Sequence, residues 1–251
     1  MQSRLLVLSL LGVTACATAG GGTGGDDDTP ADDDGTVTPD ANPQQPPDAE
    51  PIGIDAGVPD AMPIDAAPPM PVTLTQNNAM NLVDGNSVAC SDQLTLVTAE
   101  NSYYRVFKLV DEGVTGQFTA KTLQFGIEMS TAQTVEVKLY TLSGTFTVGH
   151  LTPLSTQNVA IPAVAQGAPA LQNVTLTSPV VVAPGSQLVA EVHILDGAAT
   201  SAKFFIGSNT AGESGASYLR APECGASEPA TMASLSHPTV HMVLTVSGTT
   251  P

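Results

Sequence analysis

In several short runs between residues 123 and 246, apolar and polar side chains alternate at every step, a habit that suits a strand with one buried face and fits no helix. Leu123, Phe125, Ile127 and Met129 alternate with Gln124, Gly126 and Glu128; Val135, Val137 and Leu139 alternate with Glu136 and Lys138. The same period returns in Leu188, Ala190, Val192 and Ile194, and again in Val240, Met242, Leu244 and Val246. Val174–Val182, Lys203–Gly207 and Tyr103–Val110 are further strands, the last carried by β-branched and aromatic content although Arg105 interrupts one of its faces. Turn residues punctuate the runs at Gly113, Gly116, Ser143-Gly144, Pro184-Gly185 and Asp196-Gly197. Short strands at such spacing predict an all-β sandwich of about nine or ten strands, jelly-roll-like rather than a seven-strand immunoglobulin module. The domain is expected over residues 73–248, with 249–251 as a tail, and that length is enough for one core.

The stretch before it is of another kind. From Ala17 to Pro71 the chain is Gly, Asp, Pro, Ala and Thr with almost no large apolar side chain, a composition too poor in buriable surface to offset its ordering entropy. Asp-Ala recurs at Asp40, Asp48, Asp55, Asp60 and Asp65 with drifting spacing, a low-complexity repeat rather than a solenoid. Residues 16–72 are therefore expected to be a disordered acidic tether. Residues 17–72 hold 12 acidic side chains and no lysine or arginine, against 12 acidic and 6 basic in the remainder after it. Neither part offers the basic patch that nucleic acid requires. The runs Asp26–Asp28 and Asp32–Asp34 lack the glycine turn and closing glutamate of a calcium loop.

At the amino end, Arg4 precedes an apolar run from Leu5 to Leu11 that is too short to span a bilayer, and Val13-Thr14-Ala15-Cys16 closes it. Small residues leading straight into a cysteine resemble the lipobox of bacterial lipoproteins. The resemblance implies that residues 1–15 are a signal peptide, that Cys16 becomes the acylated amino terminus, and that its lipid (palmitate among the acyl chains) is a membrane anchor. Ala17 after the cysteine, rather than aspartate, implies the outer membrane. Three cysteines in an exported chain leave an odd one to explain, and lipidation of Cys16 explains it. Cys90 and Cys224 then pair most simply as a disulfide in an oxidising compartment.

Candidate chemistry is sparse. His237 and His241 stand four apart, an even offset that puts both on one face of a strand, but the three or four ligands of a zinc site are not assembled around them. Gly212-Glu213-Ser214-Gly215 fails the spacing of a nucleophile elbow and has no strand-to-helix turn around it. Glu128, Glu136 and Glu191 read as solvent-facing alternates of their strands, and no two of them pair as glycosidase carboxylates. Asp84, Asp92 and Asp111 are available to calcium, but their spacing does not select them. No cofactor and no metal site is expected. With no tryptophan in the chain, an aromatic contact surface has to come from tyrosine, and Tyr103, Tyr104 and Tyr140 are the candidates.

Tyr103-Tyr104-Arg105-Val106-Phe107, Phe205-Ile206-Gly207-Ser208-Asn209, Ser217-Tyr218-Leu219 and Pro222-Glu223-Cys224-Gly225 together resemble a β-rich accessory domain of secreted bacterial proteins. What such a domain does is not implied by the resemblance. The expectation is a non-catalytic binding or adhesion module on a stalk, for a glycan or a protein, held at a membrane by its lipid. The competing expectations are a hydrolase with a loop-built site and a purely structural envelope protein.

Overall fold

A computed structural model describes residues 68–251. Over these residues the chain forms twelve strands: β1 (Met70–Leu74), β2 (Asn101–Lys108), β3 (Phe118–Ser130), β4 (Gln133–Leu142), β5 (Leu151–Ile161), β6 (Ala170–Val182), β7 (Gln187–Ile194), β8 (Phe204–Asn209), β9 (Ser217–Ala221), β10 (Ala226–Thr231), β11 (His241–Met242) and β12 (Leu244–Thr250). Short 3-10 turns lie at Val148–His150 and Pro222–Cys224. The expected signal peptide, Cys16 and the expected tether up to residue 67 lie outside the described residues.

Two six-stranded antiparallel sheets face each other. In the first, β1 pairs β12, β12 pairs β3, and β3 pairs β6. In the second the order is β10-β9-β2-β7-β4-β5. Setting aside β8 to β11, the remaining eight strands run first-last-third-sixth in one sheet and second-seventh-fourth-fifth in the other, which is the double Greek key of a jelly roll. The stretch from β8 to β11 is an insertion before the last strand. It extends both sheets: β8 and β11 join the first, with β8 following β12 along one edge of β3, while β9 and β10 continue the second beyond β2.

The core between the sheets is built from the alternating positions. Tyr103, Phe107, Leu123, Phe125, Val137, Leu139, Leu188, Val192 and Phe204 are all buried there, with the Phe204 ring 6.0 Å from Tyr103 and 6.4 Å from Phe125. Cys90 and Cys224 form a disulfide that ties the long β1–β2 connection to the turn between β9 and β10. Gly126 and Gly207 stand opposite each other on β3 and β8, and a Cβ on Gly207 would sit 2.7 Å from the Gly126 backbone. Only glycine allows this approach.

Three boundaries differ from the expectation. β1 begins at Met70, inside the segment assigned to the tether; Pro71 hides it in the sequence, yet β1 is an edge strand, where a missing N–H costs least. β12 continues to Thr250, into the expected tail. The run Val240–Val246 is two strands, because the chain passes from β8 to β3 as its partner on either side of Val243.

Arg105, the interruption in the β2 pattern, points into the core and is wholly buried. Its Nη1 lies 2.9 Å from Glu213 and also donates to the Gly215 carbonyl, while Nη2 donates to the Met242 carbonyl. It therefore pins the insertion to the sandwich.

Candidate functional site

The face of the second sheet that points away from the core carries the residues left over by the alternation, and the strand register arranges them in rungs. Arg220, Ser102, His193 and Glu136 form one rung across β9, β2, β7 and β4. Tyr218, Tyr104, Glu191 and Lys138 form the next, followed by Val106, Val189 and Tyr140, and then by Lys108, Gln187 and Leu142. The first two rungs are held by strands paired on both sides, whereas Val106 and Lys108 lie beyond the end of the β9 pairing and are held on the β7 side alone.

A cleft of about 440 Å³ lies over the first two rungs and is lined by Glu100, Ser102, Tyr104, Lys138, Tyr140, Glu191, His193 and Arg220, with Val148 and Leu151 at its rim. Its polar groups are mutually engaged. Ser102 Oγ is 2.9 Å from His193 Nδ1, the Tyr140 hydroxyl donates to Glu191 at 2.6 Å, Lys138 meets Glu136 at 2.8 Å, and Arg220 meets Glu100 at 2.7 Å. His193 Nε2 stands 3.6 Å from Glu136, and Nδ1 stands 3.7 Å from Glu191. Burial, with Lys138 adding to it, lowers the His193 pKa, so the ring is neutral at pH 7. The hydrogen bond from Lys138 holds the Glu136 carboxyl below its ordinary range. Burial and the Glu191 carboxylate push both Tyr104 and Tyr140 up, so both hydroxyls remain proton donors.

The segment Ser143–His150, between β4 and β5, reaches across this face. Its Phe146 ring packs edge-on against Tyr104 at 5.5 Å and Tyr218 at 4.8 Å, and the Val148 N–H donates to Glu228 on β10 at 2.8 Å. Beneath it, Tyr104, Leu142 and Val189 form a small second apolar cluster, joined by Val106, Tyr140, Leu151 and Tyr218.

The expected contact tyrosines separate. Tyr104 and Tyr140 share this face, whereas Tyr103 points the other way into the core and donates its hydroxyl to the Val88 carbonyl, so it is not a contact residue. Of the glutamates read as solvent-facing, Glu136 is half-buried, but Glu191 is 3% and Glu128 8% exposed. The outer faces are covered where they lie: Tyr140 folds over Glu191, and the backbone at Gly85 and Asn86 closes on Glu128. Burial and the charge of Asp84 raise the Glu128 carboxyl to about 7. His237 and His241 do not share a strand, since His237 lies in the turn before β11 and His241 sits 3.5 Å from Glu213. Asp84 accepts from the Gly167 N–H, and Asp92 caps its own turn at Leu94 and Thr95. Asp111 lies at a second cleft. Ser214 is exposed, its N–H donating to the Gln76 carbonyl. Ser102, His193, Lys138, Glu100 and Arg220 did not stand out in the sequence; each is an ordinary polar alternate, and only the register brings them together.

Ser102, His193 and Glu136 have the order of a hydrolytic triad, with the serine hydroxyl on one ring nitrogen and a carboxylate near the other. Ser102, however, sits inside β2 with paired strands on both sides, so its backbone is committed to the ladders and supplies no free N–H for an oxyanion.

No protein-family model matches the chain, and no curated protein matches it. Among solved structures, it is similar to the cysteine protease and lectin-like domains of Cwp84, a surface-layer-associated protein of Clostridium difficile, at 13% identity and a TM-score of 0.44. The match covers 61% of this chain and 33% of that one, so the chain spans about a third of its length.

Proposed function

We propose that this chain is a lipid-anchored envelope protein whose jelly roll is a non-catalytic binding module, and that the cleft over Ser102, Tyr104, Tyr140, Glu191 and His193 takes a polyhydroxylated ligand, a glycan. The observation that carries the binding site is the cleft's lining: hydroxyl, carboxylate, imidazole and ammonium groups converge from a rigid sheet, beside an aromatic cluster. Sugars are recognised by such a mixture of planar polar groups and apolar rings. The two cations of the lining, Lys138 and Arg220, are already paired with Glu136 and Glu100, which favours a neutral ligand over an anionic one.

Affinity electrophoresis of the purified chain against a panel of neutral polysaccharides tests this. Saturable retardation that Glu191→Ala weakens at least about tenfold, a loss of about 1.4 kcal/mol, is the expected result. The absence of retardation by any of them would overturn it. The Ser102, His193 and Glu136 arrangement favours a second reading, an esterase, and turnover of an ester panel that Ser102→Ala abolishes would establish that one instead. The anchor rests on the lipobox resemblance at Cys16. Radiolabelled palmitate should enter the wild-type chain and not Cys16→Ser, and label persisting in that variant would refute it.

A further inference from the structure

The same outer face holds a second depression that the proposed site does not use. It is a cleft of about 550 Å³ over the last two rungs, lined by Lys108 and Val106 of β2, Gln187 of β7 and Leu142 of β4, with Gln76 and Glu112 closing it. Gln76 is 7% exposed; its Nε2 donates to the Val106 carbonyl, while its Oε1 has no hydrogen-bond partner. From Ser102 to Lys108 the two depressions lie along one strand, six residues or about 20 Å from end to end.

Phe146, which itself lines the second cleft, stands at their junction. Phe146 is half-buried and packs on Tyr104, which lines the first cleft, and on Tyr218, which lines the second. It arrives on the segment Ser143–His150, which turns back on itself through the bond from the Ser143 N–H to the His150 carbonyl. The far side of that segment is held to β10 through an exposed hydrogen bond, from Val148 to Glu228.

We infer that the ligand is a linear, uncharged polysaccharide that lies along β2 and β7 and fills both depressions, with one ring stacked at Phe146 beneath the crossing segment. This rests on the glycan reading of the first cleft and extends it. Length follows from two polar subsites in line with an aromatic ridge between them; a single sugar would fill only one. Neutrality follows from the charges. Lys138 and Arg220 are paired with Glu136 and Glu100, and with Lys108 they are outnumbered by carboxylates, so a polyanion meets excess negative charge; Glu191, which has no lysine or arginine partner, is 3% exposed beneath the Tyr140 hydroxyl and offers a polycation no open charge. Burial raises the Glu112 carboxyl, which reduces that charge at the second cleft without reversing it.

Isothermal titration of the full chain with neutral oligosaccharides, dimers through hexamers of β-glucan, chitin, xylan and starch type, tests the inference. In one of these series, affinity should rise roughly a hundredfold or more between oligomers that fill one depression and those that span both, because the second contact is intramolecular. In Phe146→Ala and in Gln187→Ala, that ratio of long to short should fall towards one, while Lys121→Ala, on the opposite sheet, keeps it. Equal affinity for short and long members overturns the extended site and leaves the glycan reading standing. A wild-type ratio in both Phe146→Ala and Gln187→Ala likewise overturns it, and no binding at any length overturns both.

Discussion

Replacing Arg105 by alanine should be among the most damaging single substitutions in the sandwich. The side chain is fully buried and lies 2.9 Å from Glu213, whose own side chain is 17% exposed. Its removal strips the Gly215 and Met242 carbonyls of a charged donor and leaves Glu213 beside a cavity. Breaking such a pair from one side costs about 3–5 kcal/mol, because a buried carboxylate is left without its cation. Glu213 keeps the Ser217 hydroxyl and N–H as donors and has some access to water, so the lower half of that range, about 3–4 kcal/mol, is expected. For a domain of this size that corresponds to a fall in Tm of about 10 °C. Arg105→Met fills the volume and should cost less than alanine, and adding Glu213→Gln to it should restore part of the loss, since the abandoned charge is then gone. Urea and thermal unfolding measure all three. A shift of less than about 1 kcal/mol in Arg105→Ala would refute the reasoning, since burial of this cation would then contribute almost nothing to fixing the insertion.

The Cys90–Cys224 disulfide closes a loop with a sequence separation of 134. Chain entropy sets an upper figure of about 4–5 kcal/mol, so the double alanine variant should lose about 2–4 kcal/mol and melt lower with or without reductant; an unchanged Tm would contradict this. Glu128 titrates near 7 in the folded chain and ordinarily near 4.5. Between those values the folded state holds more protons, so the stabilisation present at pH 4 is lost as pH rises through 7. Glu128→Gln should remove that decline, making the variant more stable relative to wild type at pH 8 than at pH 5 in urea unfolding; an equal difference at both pH values would count against it.

The architecture was legible because a jelly roll writes its core as alternation. Leu123 to Met129 and Leu188 to Ile194 show it directly, and both are long strands of the sandwich. β5 was harder to read: it is an edge strand, nearly all of it away from the core, and it carries Pro153. Arg105 read as a blemish in β2 because its partners, Glu213, Gly215 and Met242, lie more than a hundred residues away. The candidate site suffered the same difficulty. Alternation separates Tyr103 from Tyr104 onto two faces, but it does not say which face is the core. Nor does it say that Ser102, His193 and Glu136 fall on one rung, because a register shift of one residue would send them to opposite sides. Cross-strand register, set by packing along the whole sheet, is what assembles the cleft.

The central claim, that the outer face over β2, β7 and β4 is the ligand surface, is tested most directly at the histidine side chains. The chain has four, His150, His193, His237 and His241, and a 15N-labelled imidazole spectrum can follow each separately. On titration with a neutral oligosaccharide hexamer of the series bound tightest, the His193 resonances should shift saturably, while those of His237 and His241, outside the cleft, stay in place. Movement of His237 or His241 with His193 unmoved would put the ligand elsewhere and contradict the account.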